Sequence, residues 1–141
     1  MRFRRSTFTG AAALALAGFI TVSCGGITDP SKNQTETFNG TVTARGGQSA
    51  PSWFNVSNTG EFTVKVTSMT PSFSSQFGVY YGQGDGGSQC GAIFQNNQFA
   101  TVNSPALSGQ ILKGLYCVVV YDFFSTFPTT GESFTLTVSH P

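Results

Sequence analysis

EFTVKVT at residues 61–67 and SFTLTVS at residues 133–139 alternate apolar and polar side chains without a fault. In the first, Phe62, Val64 and Val66 share one side and Thr63, Lys65 and Thr67 the other. A period of two is the mark of a β-strand with one buried and one wet face. The same phase runs outward along the chain. Residues 37–43 bring Phe38, Gly40 and Val42 together, Phe54 and Val56 form a short strand with Trp53 on its opposite face, and residues 76–81 align Phe77, Val79 and Tyr81. YCVVVY at residues 116–121 is apolar on both faces, which predicts a central strand. Residues 91–95, 98–102 and 108–112 are weaker strand candidates. Between the runs lie breakers: Gly46-Gly47, Asn58-Thr59-Gly60, residues 82–87, Asn96-Asn97, Pro105, Gly114 and residues 128–131. Short strands separated by turn residues, with no helical period after Cys24, predict a sandwich or barrel. Its expected core includes Phe38, Phe54, Phe62, Val64, Val79, Val118, Phe134 and Leu136.

Composition agrees. The chain has 141 residues, a length that suits one domain. Aromatic residues make up 13% and charged residues only 9%, the reverse of a disordered chain. After Cys24, Lys32, Arg45, Lys65 and Lys113 face Asp29, Glu36, Glu61, Asp85, Asp122 and Glu132, four cations against six anions and a net −2. Nucleic-acid binding needs a basic stripe to neutralise phosphates, and no such stripe is present.

The N-terminus reads as an address. Arg2, Arg4 and Arg5 precede AAALALAGFITV at residues 11–22. That run is shorter than the ~20 residues of a spanning helix and has the layout of a secretory signal. A buried amphipathic helix is the other reading, but the run shows no polar face. The segment Thr21-Val22-Ser23-Cys24-Gly25-Gly26 resembles a bacterial lipobox, with Thr21 where leucine is usual. The resemblance implies acylation of the Cys24 thiol, cleavage before it and, with Gly25 rather than aspartate following, an outer-membrane or cell-surface destination. Ordinary signal-peptidase cleavage near Ala17 or Ser23, releasing a soluble protein, is the alternative. Two or three acyl chains are needed for stable anchoring. The expected organisation is a signal peptide at residues 1–23, a tether at 24–34 and a β-domain at 35–141. With Cys24 acylated, Cys90 and Cys117 remain, either as a disulfide, which exported compartments permit, or as two buried thiols. A bridge between them ties the loop after the Phe77 strand to the YCVVVY strand.

FNGTVTARGG (38–47), SWFNVS (52–57), GEFTVKVTSM (60–69), GLYCVVVYD (114–122) and SFTLTVSHP (133–141) follow one another in an order that resembles the bacterial pre-peptidase C-terminal domain. The resemblance runs from Phe38 to His140 and rests on hydrophobic patterns and turns. It implies an all-β, single jelly-roll-like β-sandwich of about seven to nine short antiparallel strands. It also implies a non-catalytic role, since such domains accompany secreted proteases and other exoenzymes in secretion, substrate adhesion or processing.

Catalytic residues are scarce. The single histidine, His140, sits next to the chain end, where fraying is usual. Asp85 and Asp122 form a potential acid–base pair, or a turn residue and a strand-end cap. GQGDGG at residues 82–87 lacks the Lys-Ser/Thr of a phosphate loop. Asp85 is its only carboxylate, a weak candidate for calcium, which takes six to eight oxygens. No cofactor is expected. DFFSTFPTT at residues 122–130 is more informative, because three phenylalanines in a loop are costly if exposed. Either one folds back as a lid, or the loop presents an aromatic patch to a partner, a polysaccharide or a membrane. Trp53, Tyr80, Tyr81, Phe123, Phe124 and Phe127 form the candidate binding surface. The expected function is a non-catalytic cell-envelope lipoprotein, a binding or structural module held to the membrane by its lipid, with an envelope protein or polysaccharide as partner. The alternative is an accessory domain or small hydrolase acting on extracellular protein or polysaccharide.

Overall fold

The computed structural model describes residues 29–43, 46–71, 76–84 and 86–141. A single 3₁₀ turn, Pro30–Lys32, is capped by the Asp29 carboxylate, which accepts the Ser31 N–H. Eight strands follow: β1 (Gln34–Val42), β2 (Ser52–Val56), β3 (Gly60–Thr70), β4 (Phe77–Gln83), β5 (Ile93–Ala100), β6 (Pro105–Ile111), β7 (Gly114–Tyr121) and β8 (Glu132–His140). They form two four-stranded sheets, β1-β8-β3-β6 and β2-β7-β4-β5, in which every neighbouring pair is antiparallel. The first strand pairs with the last, the second with the seventh, the third with the sixth and the fourth with the fifth. This nested pairing is a jelly-roll β-sandwich.

The alternating stretches occupy the interior of the first sheet. β3 and β8 turn Phe62, Val64, Val66, Phe134, Leu136 and Val138 into the core. Burying each such side chain contributes about 1.5–3 kcal/mol, so the period-two pattern is sufficient to hold these strands face-in. β7 lies at the centre of the second sheet, as its two apolar faces predict. Val118 and Val120 fill the core, while Cys117 and Val119 point the other way and are still buried. Cys117 is covered by the β4–β5 connection, which is tied down by the Cys90–Cys117 disulfide and by the Trp53 indole N–H donating to the Gly87 carbonyl at 3.1 Å.

Three local readings are corrected. Asn96-Asn97 does not break the chain: β5 runs through it, merging two predicted strands. β5 is an edge strand opposite β6, the edge of the other sheet, and its amides cross the gap. Asn97 Nδ2 donates to the Ala106 carbonyl at 2.8 Å and Gln95 Nε2 to the Ser108 carbonyl at 3.4 Å. Pro105 opens β6 instead of interrupting it, as edge strands tolerate a missing N–H. Gln34 already belongs to β1, opposite His140. Of the expected core residues only Phe38, on edge strand β1, stays half-buried.

His140 is not frayed. It closes β8 fully buried, its Nε2 2.8 Å from Glu36 Oε1 and its ring 5.2 Å from that of Phe54. Pairing with β1 is what holds it: the last residue of β8 is matched to the first of β1, so neither end is loose.

Candidate functional site

Strand direction sorts the connections into two ends. The chain enters at Gln34, matched to His140, whereas the β7–β8 connection of residues 122–131 lies where Val42 pairs with Glu132. The nine residues of β1 separate these ends by about 27 Å. The candidate site is at the end remote from Gln34.

Asp122 builds it. The residue follows β7 and is buried, and its own N–H donates to the Gly47 carbonyl at 2.9 Å. Its carboxylate accepts the N–H groups of Gly46, Thr126 and Phe127, each at 3.0 Å. Burial by itself raises its pKa. The backbone donors of Gly46, Phe127, Thr126 and Ser125 outweigh that and hold the carboxyl below the usual aspartate value. Ser125 takes a left-handed conformation, φ 56°, which reverses the chain so that the N–H groups after it face Asp122. The loop is thereby clamped to the β1–β2 connection. Phe127 turns into the core as a lid, and Phe123 and Phe124 are left outside, 42% and 41% exposed.

These two rings belong to a longer series on the outer face of the second sheet. Tyr80 and Tyr121 lie 5.8 Å apart between centroids, Tyr121 and Phe123 6.3 Å, Phe123 and Phe124 5.0 Å, and Phe124 and Phe99 5.7 Å. Gly78 is required here: a Cβ on it would fall inside the Tyr121 ring, so only glycine lets that ring lie flat across β4. Side-chain amides flank the strip. Tyr121 Oη donates to Asn96 Oδ1 at 2.7 Å and Tyr80 Oη to Gln48 Oε1 at 3.4 Å. Burial, followed by the neighbouring Tyr121 phenol, pushes the Tyr80 pKa up, so that phenol stays neutral through the physiological range. Among the described residues of the strip's own segments, the only ionised group is the enclosed Asp122 carboxylate. Neighbouring rings stand at 82° and 87° around Phe123, so the strip is twisted and not planar.

Of the six candidate surface residues, the structure brings Tyr80, Phe123 and Phe124 into this strip. Tyr81 and Phe127 are corrected to the core, because Tyr81 shares the inward phase of Phe77 and Val79, and Phe127 is drawn in by the Asp122 clamp. Trp53 is half-buried over the β4–β5 connection, apart from the strip. Phe99 and Tyr121 were missed. Phe99 stands among Gln and Asn residues in β5, and a lone aromatic in a polar edge strand was the available signal. Cys24 and Asp85 lie outside the described residues. Gly84 and Gly86, on either side of Asp85, follow β4 at the end opposite Asp122.

Comparison with known proteins finds no matching family model, curated protein or solved structure. Among the described residues, no three His, Cys, Asp or Glu side chains lie close enough to hold a metal ion, and no helix is long and apolar enough to cross a membrane. Among the described residues, the chemistry available at the site is that of an uncharged surface: ring faces for stacking and CH contact, with amides and phenols beside them for hydrogen bonds.

Proposed function

We propose that the protein is an exported, lipid-anchored, non-catalytic binding module of the cell envelope, and that its ligand is a neutral polysaccharide. The observation that carries the reading is the aromatic strip from half-buried Tyr80 and Tyr121 to exposed Phe123, Phe124 and Phe99, at the end of the sandwich away from Gln34. Sugar rings offer CH faces to aromatic rings and hydroxyls to amides, and a strip whose described residues expose no charge matches a polymer without charge. Its twist suits a single flexible glycan chain over a flat crystalline surface. The signal-like N-terminus and the lipobox-like Cys24 segment support export and acylation, and the disulfide is compatible with an oxidising compartment. The order of patterned segments supports kinship with pre-peptidase C-terminal domains, whose non-catalytic adhesive roles fit this reading. A hydrolytic role for Asp122 gains no support, since its carboxylate is committed to the backbone of its own loop.

Affinity electrophoresis through gels containing hydroxyethylcellulose, mannan or anionic alginate tests the ligand class. Retardation by a neutral polymer, lost in a Phe99→Ser/Phe124→Ser variant that still melts like the parent, is the expected result. Capture of an envelope protein through the same residues, without retardation by any glycan, reassigns the ligand to protein. Intact mass of the membrane-extracted chain reports cleavage, acyl count and disulfide together.

A further inference from the structure

We propose that the opposite end of the sandwich, where the chain enters, is a bilayer-contact face in which Ile93, Phe94 and Leu112 dip into the lipid interface and orient the aromatic strip outward. The proposal rests on the lipid-anchored reading and adds a second surface to it. These three side chains are 56%, 54% and 64% exposed, among the largest apolar exposures of the described residues, and they do not join the strip. Ile93 opens β5, and Leu112 follows β6 directly before β7. Strand pairing puts both beside the end that holds Gln34 and His140: Gly60, the first residue of β3, is matched to Ile111, and Gly82, near the end of β4, to Ile93. The Phe94 ring leans on Tyr81 and Tyr116 at 5.8 and 6.2 Å, and with Leu112 it borders a shallow apolar cleft. Phe94 is thus a braced wedge standing out from that end.

The length of chain outside the domain says what covers this face. Asn33 Nδ2 donates to the Glu61 carbonyl at 2.8 Å, which pins the start of the domain beneath β3, next to β6. From Asp29 back to Cys24 is five residues, at most about 18 Å of extended chain. An acyl group on Cys24 therefore keeps this end within reach of the bilayer, whereas the strip at the far end reaches it only if the domain pivots onto its side. Such a short tether gives the face a high local concentration of lipid, so a contact too weak to bind membranes alone is enough to set orientation. Exposed charges of the described residues at this end are mixed, Lys32 and Lys113 with Asp29 and Glu61, so the contact is apolar and independent of anionic lipid.

The test uses the mature, acylated full chain reconstituted into phosphatidylcholine vesicles with or without brominated acyl chains. Two variants each add one tryptophan to Trp53, Leu112→Trp at this face and Phe124→Trp at the strip. Bromine is expected to cut the added Leu112→Trp emission by roughly twofold and to leave the added Phe124→Trp emission unchanged, with the same result when 30 mol% phosphatidylglycerol is included. Equal quenching of both, no quenching of Leu112→Trp in a folded acylated chain, or quenching that requires phosphatidylglycerol overturns the contact face while leaving the lipoprotein intact. A mass showing no acyl chain overturns the lipoprotein and this proposal with it. An Ile93→Ser/Phe94→Ser/Leu112→Ser variant, acylated and folded, is expected to let bromine reach Phe124→Trp as well.

Discussion

The two sheets share one core and differ in what they show on the outside. On the first sheet the outward positions of β1, β3 and β8 are threonine, serine, asparagine, lysine and glutamate, and several bond to one another. Thr135 Oγ1 donates to Asn39 Oδ1 at 2.8 Å, and Thr67 Oγ1 to the Thr135 carbonyl at 3.2 Å. On the second sheet the outward positions of β4 and β7 are Gly78, Tyr80, Gly82, Leu115, Cys117, Val119 and Tyr121, covered at one end by the disulfide-tied connection and open at the other as aromatic rings. A polar face needs only water. An apolar face needs either a cover or a ligand, and this sheet has a cover over half its length and bare rings over the rest.

If that contrast is real, the second sheet depends on its cover. Removing the bridge in a Cys90→Ser/Cys117→Ser variant, whose partners are 27 positions apart, is expected to cost about 3–4 kcal/mol in urea unfolding. Next comes the clamp under the aromatic loop. Asp122→Ala leaves three backbone N–H groups, one of them fully buried, without their acceptor and is expected to cost about 2–3 kcal/mol. Because the folded state lowers this carboxyl's pKa, its contribution is fully present above the unfolded aspartate value and is lost as pH falls through the lower folded value. The parent should therefore lose stability on acidification through that window, and Asp122→Ala should lose less.

A matched pair sharpens the comparison further. Val119 and Thr137 both point outward from the central strands of their sheets, and only Val119 is buried. Val119→Ala is expected to cost about 1–2 kcal/mol and Thr137→Ala under about 0.5 kcal/mol; equal costs would dissolve the distinction between the faces. The smallest stability effect belongs to Phe124→Ser, close to zero by thermal melting, because its ring already meets water. Its effect should appear in glycan binding instead.

Legibility followed the same division. The faultless alternation of residues 61–67 and 133–139 marks β3 and β8, and the two apolar faces of YCVVVY mark β7 as central, because burial on one or both sides of a strand leaves a period in the sequence. The outward side chains of the second sheet leave no such mark. Nothing local separates Phe127, which enters the core, from Phe124, three residues earlier, which stays outside. The difference is made by Asp122 and by a left-handed serine, Ser125. Phe99 joins the strip through a neighbour 25 residues away in sequence, and His140 is held by Glu36 from the other end of the domain.

By itself, then, the sequence determined the strongly patterned strands, which of their faces is apolar and that the fold is all-β, since a side-chain period of two is a property of each strand alone. Tertiary structure decided that the aromatic strip gathers at one end and the entry into β1 lies at the other. That arrangement depends on which strands pair and in which direction, and pairing is settled by contacts between residues far apart in the chain.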